Sequence, residues 1–429
     1  MKKSYLFSAL AAGMVMFSAC SSDNDLANGG NESNDAVQQI VLQVANAGDG
    51  MQTRAGRPLL SSEAKQTIEN VKVFICDNNG KIVKVESYND WSNTDSKPYN
   101  SNGHGRETVI KYTGDDKLGN GDYTIYAYGF HNGTAYTELD DKIANLAVGG
   151  TLGKDIILEC SAVGEEIFAG KTEQFKIDDN QKGFTQTVVL NRQVAGTFGY
   201  FESIPYVAGA TKLQLVASNP NKCLVLGKFN NFDLTGNGTG NTANVKYVVN
   251  GTQPAENKVV YTINLKDWFK EIKDADNNGL IDAGDNWENK AITTGAKFKT
   301  GSVFGGSFLI PFQKNADQTF VLQLVNDNGD VLKSWAVKLP STDGQLSEYT
   351  LSYWNTSATT PVWANSTVTD NADKYNVVRN HLYGIGERTL DEPTKPGTDP
   401  DKPEPLNKKQ ELTLHVNDNW EVIHKMELE

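Results

Sequence analysis

The sequence predicts an all-β protein: two β-sandwich domains, with one further strand isolated at each end of the chain. Three observations carry this. Short runs of alternating apolar and polar residues recur between Ala55 and Gly386, separated by turn residues at the spacing sandwiches show. Two hairpin signatures nearly repeat one another: Val71–Cys76 with Lys81–Val85 across Asp77–Gly80, and Phe320–Val325 with Asp330–Lys333 across Asn326–Gly329. In each the turn ends on Asn-Gly or Asp-Asn-Gly, which supplies the positive φ angles a hairpin demands. Helical signal is confined to Asp140–Ala147 and Lys266–Lys273.

In chain order, Lys2 and Lys3 precede an apolar run, Tyr5 to Phe17, that closes on small residues before Cys20. A basic start, a short apolar stretch and a cysteine at the junction describe a lipoprotein signal over residues 1–20, with Cys20 lipidated as the new N-terminus. The run is shorter than the roughly 20 residues a membrane-spanning helix needs. The segment 21–54 reads as a polar, acidic spacer followed by a strand, in which Ile40, Leu42 and Val44 alternate with Val41 and Gln43. It ends at Thr53-Arg54-Ala55 in a loop of small residues that also holds Gly56 and Arg57, a composition proteases cut.

A first sandwich is expected over 55–182 and a second over 183–390, with the polar stretch Asp178–Gly183 as their boundary. Strands are expected at Gly121–Gly129, Thr187–Ala195, Gly196–Phe201, Lys212–Ala217, Cys223–Leu226 and Lys258–Leu265. Of 429 residues, about 400 remain after signal removal, room for two or more domains. The net charge of −13 speaks against a nucleic-acid partner, whose phosphates need a basic face. Cys76, Cys160 and Cys223 are an odd set without paired spacing and read as buried strand residues.

One local motif carries chemistry. Asp274, Asp276 and Asn278 occupy positions 1, 3 and 5 of a twelve-residue loop, Gly279 the turn at 6, Asp282 position 9 and Asp285 position 12. That spacing wraps oxygen ligands around Ca2+, with Leu280 adding its backbone carbonyl. Asp285 stands where a longer Glu is usual, as in dockerin-like loops, so a weaker or tilted cage is expected, with a structural role. The five histidines lack ligand spacing, and no nucleophile elbow or phosphate loop occurs, so no enzymatic activity is expected. Trp354 and Trp363 leave room for a sugar platform.

Residues 391–405 carry Pro393, Pro396, Pro400, Pro403 and Pro405, a stiff extended tether. Behind it, 406–429 holds a strand whose even positions Leu412, Leu414, Val416, Trp420, Val422, Met426 and Leu428 make one apolar face, broken at Asp418 and His424. Such a strand, held away from the body, suits a groove in another molecule.

With these parts assembled, the chain resembles the fimbrillins of Bacteroidota, the type V pilins. The resemblance rests on the lipoprotein signal, Thr53-Arg54-Ala55, Gln186–Ala195, Tyr375–Tyr383 and a terminal strand containing Trp420. It implies transthyretin-like sandwiches, an exported lipidated precursor at the outer membrane, and an arginine-specific protease that cuts between Arg54 and Ala55. It also implies that the first strand is displaced and that Leu412–Leu428 is a donor strand entering a neighbouring copy or related pilin subunit. The resulting role is a stalk subunit of a fimbrium supporting adhesion and colonisation. A tip or anchor subunit, or a surface glycan-binding lipoprotein, is the alternative.

Overall fold

The N-terminal alternation becomes strand β1 (Gln38–Val44) in the computed structural model. That structure describes residues 37–44, 68–91, 106–229, 246–290, 298–313, 319–338, 348–369, 376–386, 403–407, 411–413 and 415–417. The chain continues through β2 (Asn70–Asp77), β3 (Ile82–Tyr88), β4 (Arg106–Tyr112), β5 (Gly121–Phe130), β6 (Ile156–Glu159), β7 (Phe168–Lys171), β8 (Phe175–Ile177), β9 (Phe184–Arg192) and β10 (Ala195–Glu202). The protein is nearly all β, as its alternation predicts.

Eight strands make the first sheet, in the order β3-β2-β5-β7-β9-β1-β4 with β8 beside β5. The sheet folds over one core. Val71, Val73 and Ile75 of β2 and Ile125 of β5 share it with Ile40 and Leu42 of β1, Ile110 of β4 and Val188 and Leu190 of β9. These are alternate residues of each strand, so period-two patterning selects the buried face. The β2–β3 turn departs from a two-residue hairpin. Only Gly80 has positive φ (77°), and the ladder slips between Ile75 and Cys76, the geometry of a longer turn closed by a glycine bulge. Gly329 (φ 90°) does the same in the second hairpin, where the slip falls between Leu324 and Val325.

Two five-stranded sheets enclose the second core. One has Val303–Leu309, β10, Leu382–Ile385 and His415–Asn417 in order, with Glu404–Pro405 also beside β10. The other runs Lys258–Asn264, Lys212–Ala217, Phe320–Val325, Val331–Lys338 and Glu411–Thr413. Tyr200, Leu213, Phe304, Leu322, Trp335 and Tyr383 meet between them. A third cluster joins β6 to Leu224, Leu226 and Ile310, so Val37–Glu429 groups as one unit.

Three expectations shift. The boundary at 182/183 falls inside the first sandwich, because β9 begins at Phe184 and completes the first sheet; the crossing is at Gln193 and Val194. The expected helices shrink to one turn each, at Asp140–Ala144 and Leu265–Asp267. The C-terminal segment is not held away from the body where it is described. Leu406 and Leu412 are each 1% exposed, and the Leu406 N–H donates to the Glu202 carbonyl at 3.0 Å. Short edges beside β10, Val331–Lys338 and Leu382–Ile385 accept this segment piece by piece, which covers unpaired edge groups.

Candidate functional site

The sequence marks β1 as isolated; the structure places it in the interior of a sheet. It runs antiparallel to β4 over its whole length, Gln38 opposite Tyr112 through Val44 opposite Arg106. On its other side it runs parallel to β9, Gln38 beside Phe184 through Val44 beside Leu190. Among the described residues β4 joins the sheet only through β1. Removing β1 therefore opens a slot two strand spacings wide, about 9.5 Å, with an unpaired backbone edge on each side.

Ile40 and Leu42 are fully buried and fill the core side of this slot. The sequence reading missed Gln38. It is 2% exposed, and its amide is satisfied three times. Nε2 donates to the carbonyls of Leu118 (3.1 Å) and Lys182 (2.8 Å), and Oε1 accepts from the Leu118 N–H (2.8 Å). On the outer face Gln43 Nε2 donates to Glu107 Oε2 at 2.6 Å. A glutamine at the start of an alternating run is the signal that was available.

Arg192–Val194 and Arg379–Asn380, far apart in sequence, meet just past the end of the slot. Arg192, 2% exposed at its side chain, donates through Nε to Glu166 at 2.6 Å and through Nη1 to Asn380 at 3.1 Å. Arg379 Nη1 donates to Gln193 Oε1 at 2.8 Å, and the Asn380 N–H to the Val194 carbonyl at 2.8 Å. A buried, hydrogen-bonded ionic network thus fastens the crossing between the sandwiches.

Of the expected donor residues, Leu412 is buried in the second core of its own chain, and Val416 lies in the strand His415–Asn417. Leu414, Trp420, Val422, Met426 and Leu428 lie outside the described residues, as do Cys20, Arg54 and Ala55.

In the acidic loop, carboxylate oxygens of Asp274, Asp276 and Asp285 lie within 4.8 Å of one another. Asp285 is 6% exposed and held by the N–H groups of Ala275 (2.7 Å) and Asp282 (2.9 Å). Asp282 Oδ1 accepts from the Gly284 N–H at 2.8 Å, and Asn278 Oδ1 accepts from the Leu280 N–H at 2.8 Å. Asn277 (φ 60°) and Gly279 (φ 85°) wind the loop, and Leu280–Ile281 pins it antiparallel to Ile204–Pro205. Three hard oxygen donors at this spacing fit Ca2+, whose ligands sit 2.3–2.6 Å from the ion. Asn278 Nδ2 donates to Asp276 Oδ2 at 3.0 Å and to Asp282 Oδ2 at 3.2 Å, which ties both residues to the edge of the cluster.

Cys76, Cys160 and Cys223 are free and buried. Burial pushes Cys76 up to about 12 and Cys160 up to about 11, so both stay thiols at neutral pH. Trp354 and Trp363 meet edge to face at 5.5 Å, and Trp363 Nε1 donates to Asp155 with Lys228 over its ring.

No protein-family model matches the sequence, and no curated protein matches it. Among solved structures, the chain is similar to a fimbrial assembly protein from Parabacteroides distasonis, at 13% identity over 80% of this chain and 98% of that one, with a TM-score of 0.35. It is also similar to the fimbrial anchor protein Mfa2 from Porphyromonas gingivalis, at 10% identity over 80% of this chain and 100% of that one, with a TM-score of 0.33.

Proposed function

We propose that this chain is a subunit of a surface fimbria that polymerises by strand exchange. One observation carries the reading: β1 is an interior strand, yet only residues 45–67, which contain Arg54, join it to the rest of its sheet. A cut there leaves a complete fold whose central strand is held by noncovalent contacts alone. The precursor would reach the outer membrane lipidated at Cys20, and an arginine-specific surface protease would cut after Arg54. The segment Leu412–Leu428 of another copy, or of a related subunit, would then fill the slot by β-augmentation. A stalk role follows from the cleavage site, since an anchor would retain β1. N-terminal sequencing of the surface-extracted protein separates them: Ala55 for a stalk, Cys20 for an anchor.

The experiment on the donor is truncation after Lys402. The shortened chain loses Leu406 and Leu412 from its own second core, at roughly 1.5–3 kcal/mol each. It is expected to fold with stability lower by about 3–6 kcal/mol, and to form no filaments in electron micrographs. Filaments of normal length from it would refute the donor role.

The acidic loop is proposed to hold Ca2+ through Asp274, Asp276 and Asp285, stiffening the segment that Leu280–Ile281 anchors. Calorimetry of the Asp274→Ala, Asp276→Ala variant is expected to show calcium binding lost. Unchanged affinity would remove the assignment.

A further inference from the structure

The slot specifies which residues enter it and in which register. Resting on the strand-exchange reading above, we propose that Gln410–Val416 of a second copy replaces Gln38–Val44 residue for residue. Gln410 takes the place of Gln38, Leu412 of Ile40, Leu414 of Leu42 and Val416 of Val44.

The core face supports this directly. Gln38-Gln-Ile-Val-Leu-Gln-Val44 and Gln410-Glu-Leu-Thr-Leu-His-Val416 agree at the first, fifth and seventh positions and both carry a branched aliphatic at the third. The leading glutamine is the demanding position. The Leu118 N–H and the Leu118 and Lys182 carbonyls need an amide as partner once Gln38 leaves, because a polar group left unpaired on burial is costly. Gln318–Leu324 shows a similar apolar pattern, but Phe320–Val325 is already paired on both sides in the second sandwich.

The outer face decides between registers. β4 presents Lys111 opposite Gln39, Val109 opposite Val41 and Glu107 opposite Gln43. In the proposed register Glu411 stands opposite Lys111, Thr413 opposite Val109 and His415 opposite Glu107. Lys111 then meets a carboxylate where β1 offers only an amide, and Glu107 keeps a hydrogen-bond donor in place of Gln43. Directly opposed pairs of this kind favour pairing, and like charges there oppose it. A slip of two residues would bring Lys409 opposite Lys111 and bury Gln410 where Ile40 sits. A slip of one would turn the apolar face to solvent.

The test is intermolecular cross-linking of the processed chain beginning at Ala55. Lys111→Cys is combined on one chain with Glu411→Cys, Thr413→Cys or Lys409→Cys, and assembled protein is bridged with a short bifunctional thiol reagent. Native cysteines in this chain are buried and add little background. The expected result is a covalent ladder on denaturing gels from the 111/411 pair and none from the others. A ladder from a shifted pair, or oligomers that no pair cross-links, overturns the register while leaving strand exchange standing. If the processed chain without cysteine substitutions forms no oligomers, strand exchange itself fails, and the register with it.

Discussion

A precursor carrying Arg54→Ala and Arg57→Ala is expected to stay monomeric and to keep its N-terminal segment, while its fold is unchanged. Both positions lie outside the described residues; the expected change is in competition for the slot. With residues 45–67 intact, β1 is presented to the β4/β9 slot at an effective concentration on the order of millimolar. A donor strand at micromolar concentration competes at roughly a thousandfold disadvantage, about 4 kcal/mol, before any contact is compared. On the strand-exchange proposal, cleavage removes that advantage and lets a strand with better outer-face pairing displace β1. Arg57 is included because it is the nearest substitute site. The measurement is the ladder of unheated samples on denaturing gels together with filament counts. Fibres at the wild-type level from the double variant would show that proteolysis does not gate assembly.

What the sequence made legible was local. Alternation placed β1, both hairpins and the strands around β10, since period-two burial is written residue by residue. The acidic loop could be found by spacing because its donors are neighbours in the chain. Strand order is different: that β1 lies between β4 and β9, antiparallel to the first and parallel to the second, depends on residues 62 to 74 positions apart on one side and 146 on the other, and nothing in the alternation of Gln38–Val44 distinguishes an interior strand from an edge. For the same reason the expected boundary missed β9, whose polar flank at Asp178–Gly183 is a tight turn before a strand of the first sandwich. The proline spacing of 391–405 suggested a stand-off tether, but a prolyl segment without donors can also line an edge, as Glu404–Pro405 does along β10. Gln38 reads as a solvent residue in the sequence because its three partners belong to segments far away.

Glu166→Ala is expected to destabilise the protein by about 3–5 kcal/mol, the usual cost of leaving a buried charge without its partner. Arg192 would keep Asn380 and the ring of Phe168, 4.9 Å away, but lose the carboxylate at its Nε. Solvent does not reach it to compensate, since Arg192 is 2% exposed and Glu166 1%. Burial pushes the Arg192 guanidinium down from its ordinary range, and Glu166 is what opposes that. The double variant Glu166→Leu, Arg192→Met should recover much of the loss, because replacing both charges removes the desolvation penalty as well as the attraction. About 1–3 kcal/mol should remain, from the Asn380 oxygen left without its donor. Urea midpoints across this cycle measure the coupling, and a Glu166→Ala loss below about 1 kcal/mol, the range of an exposed pair, would show that the network does not bear on stability. The location gives the result a second meaning. Arg192 lies two residues beyond Leu190, the last β9 partner of β1, and Asn380 lies two residues before Leu382, where the strand that pairs with His415–Asn417 begins. On the strand-exchange proposal, a rigid crossing would keep β9 in place when β1 leaves, so that the slot holds its shape for the incoming strand. Glu166→Ala should therefore also slow polymerisation of processed protein at temperatures where the variant remains folded.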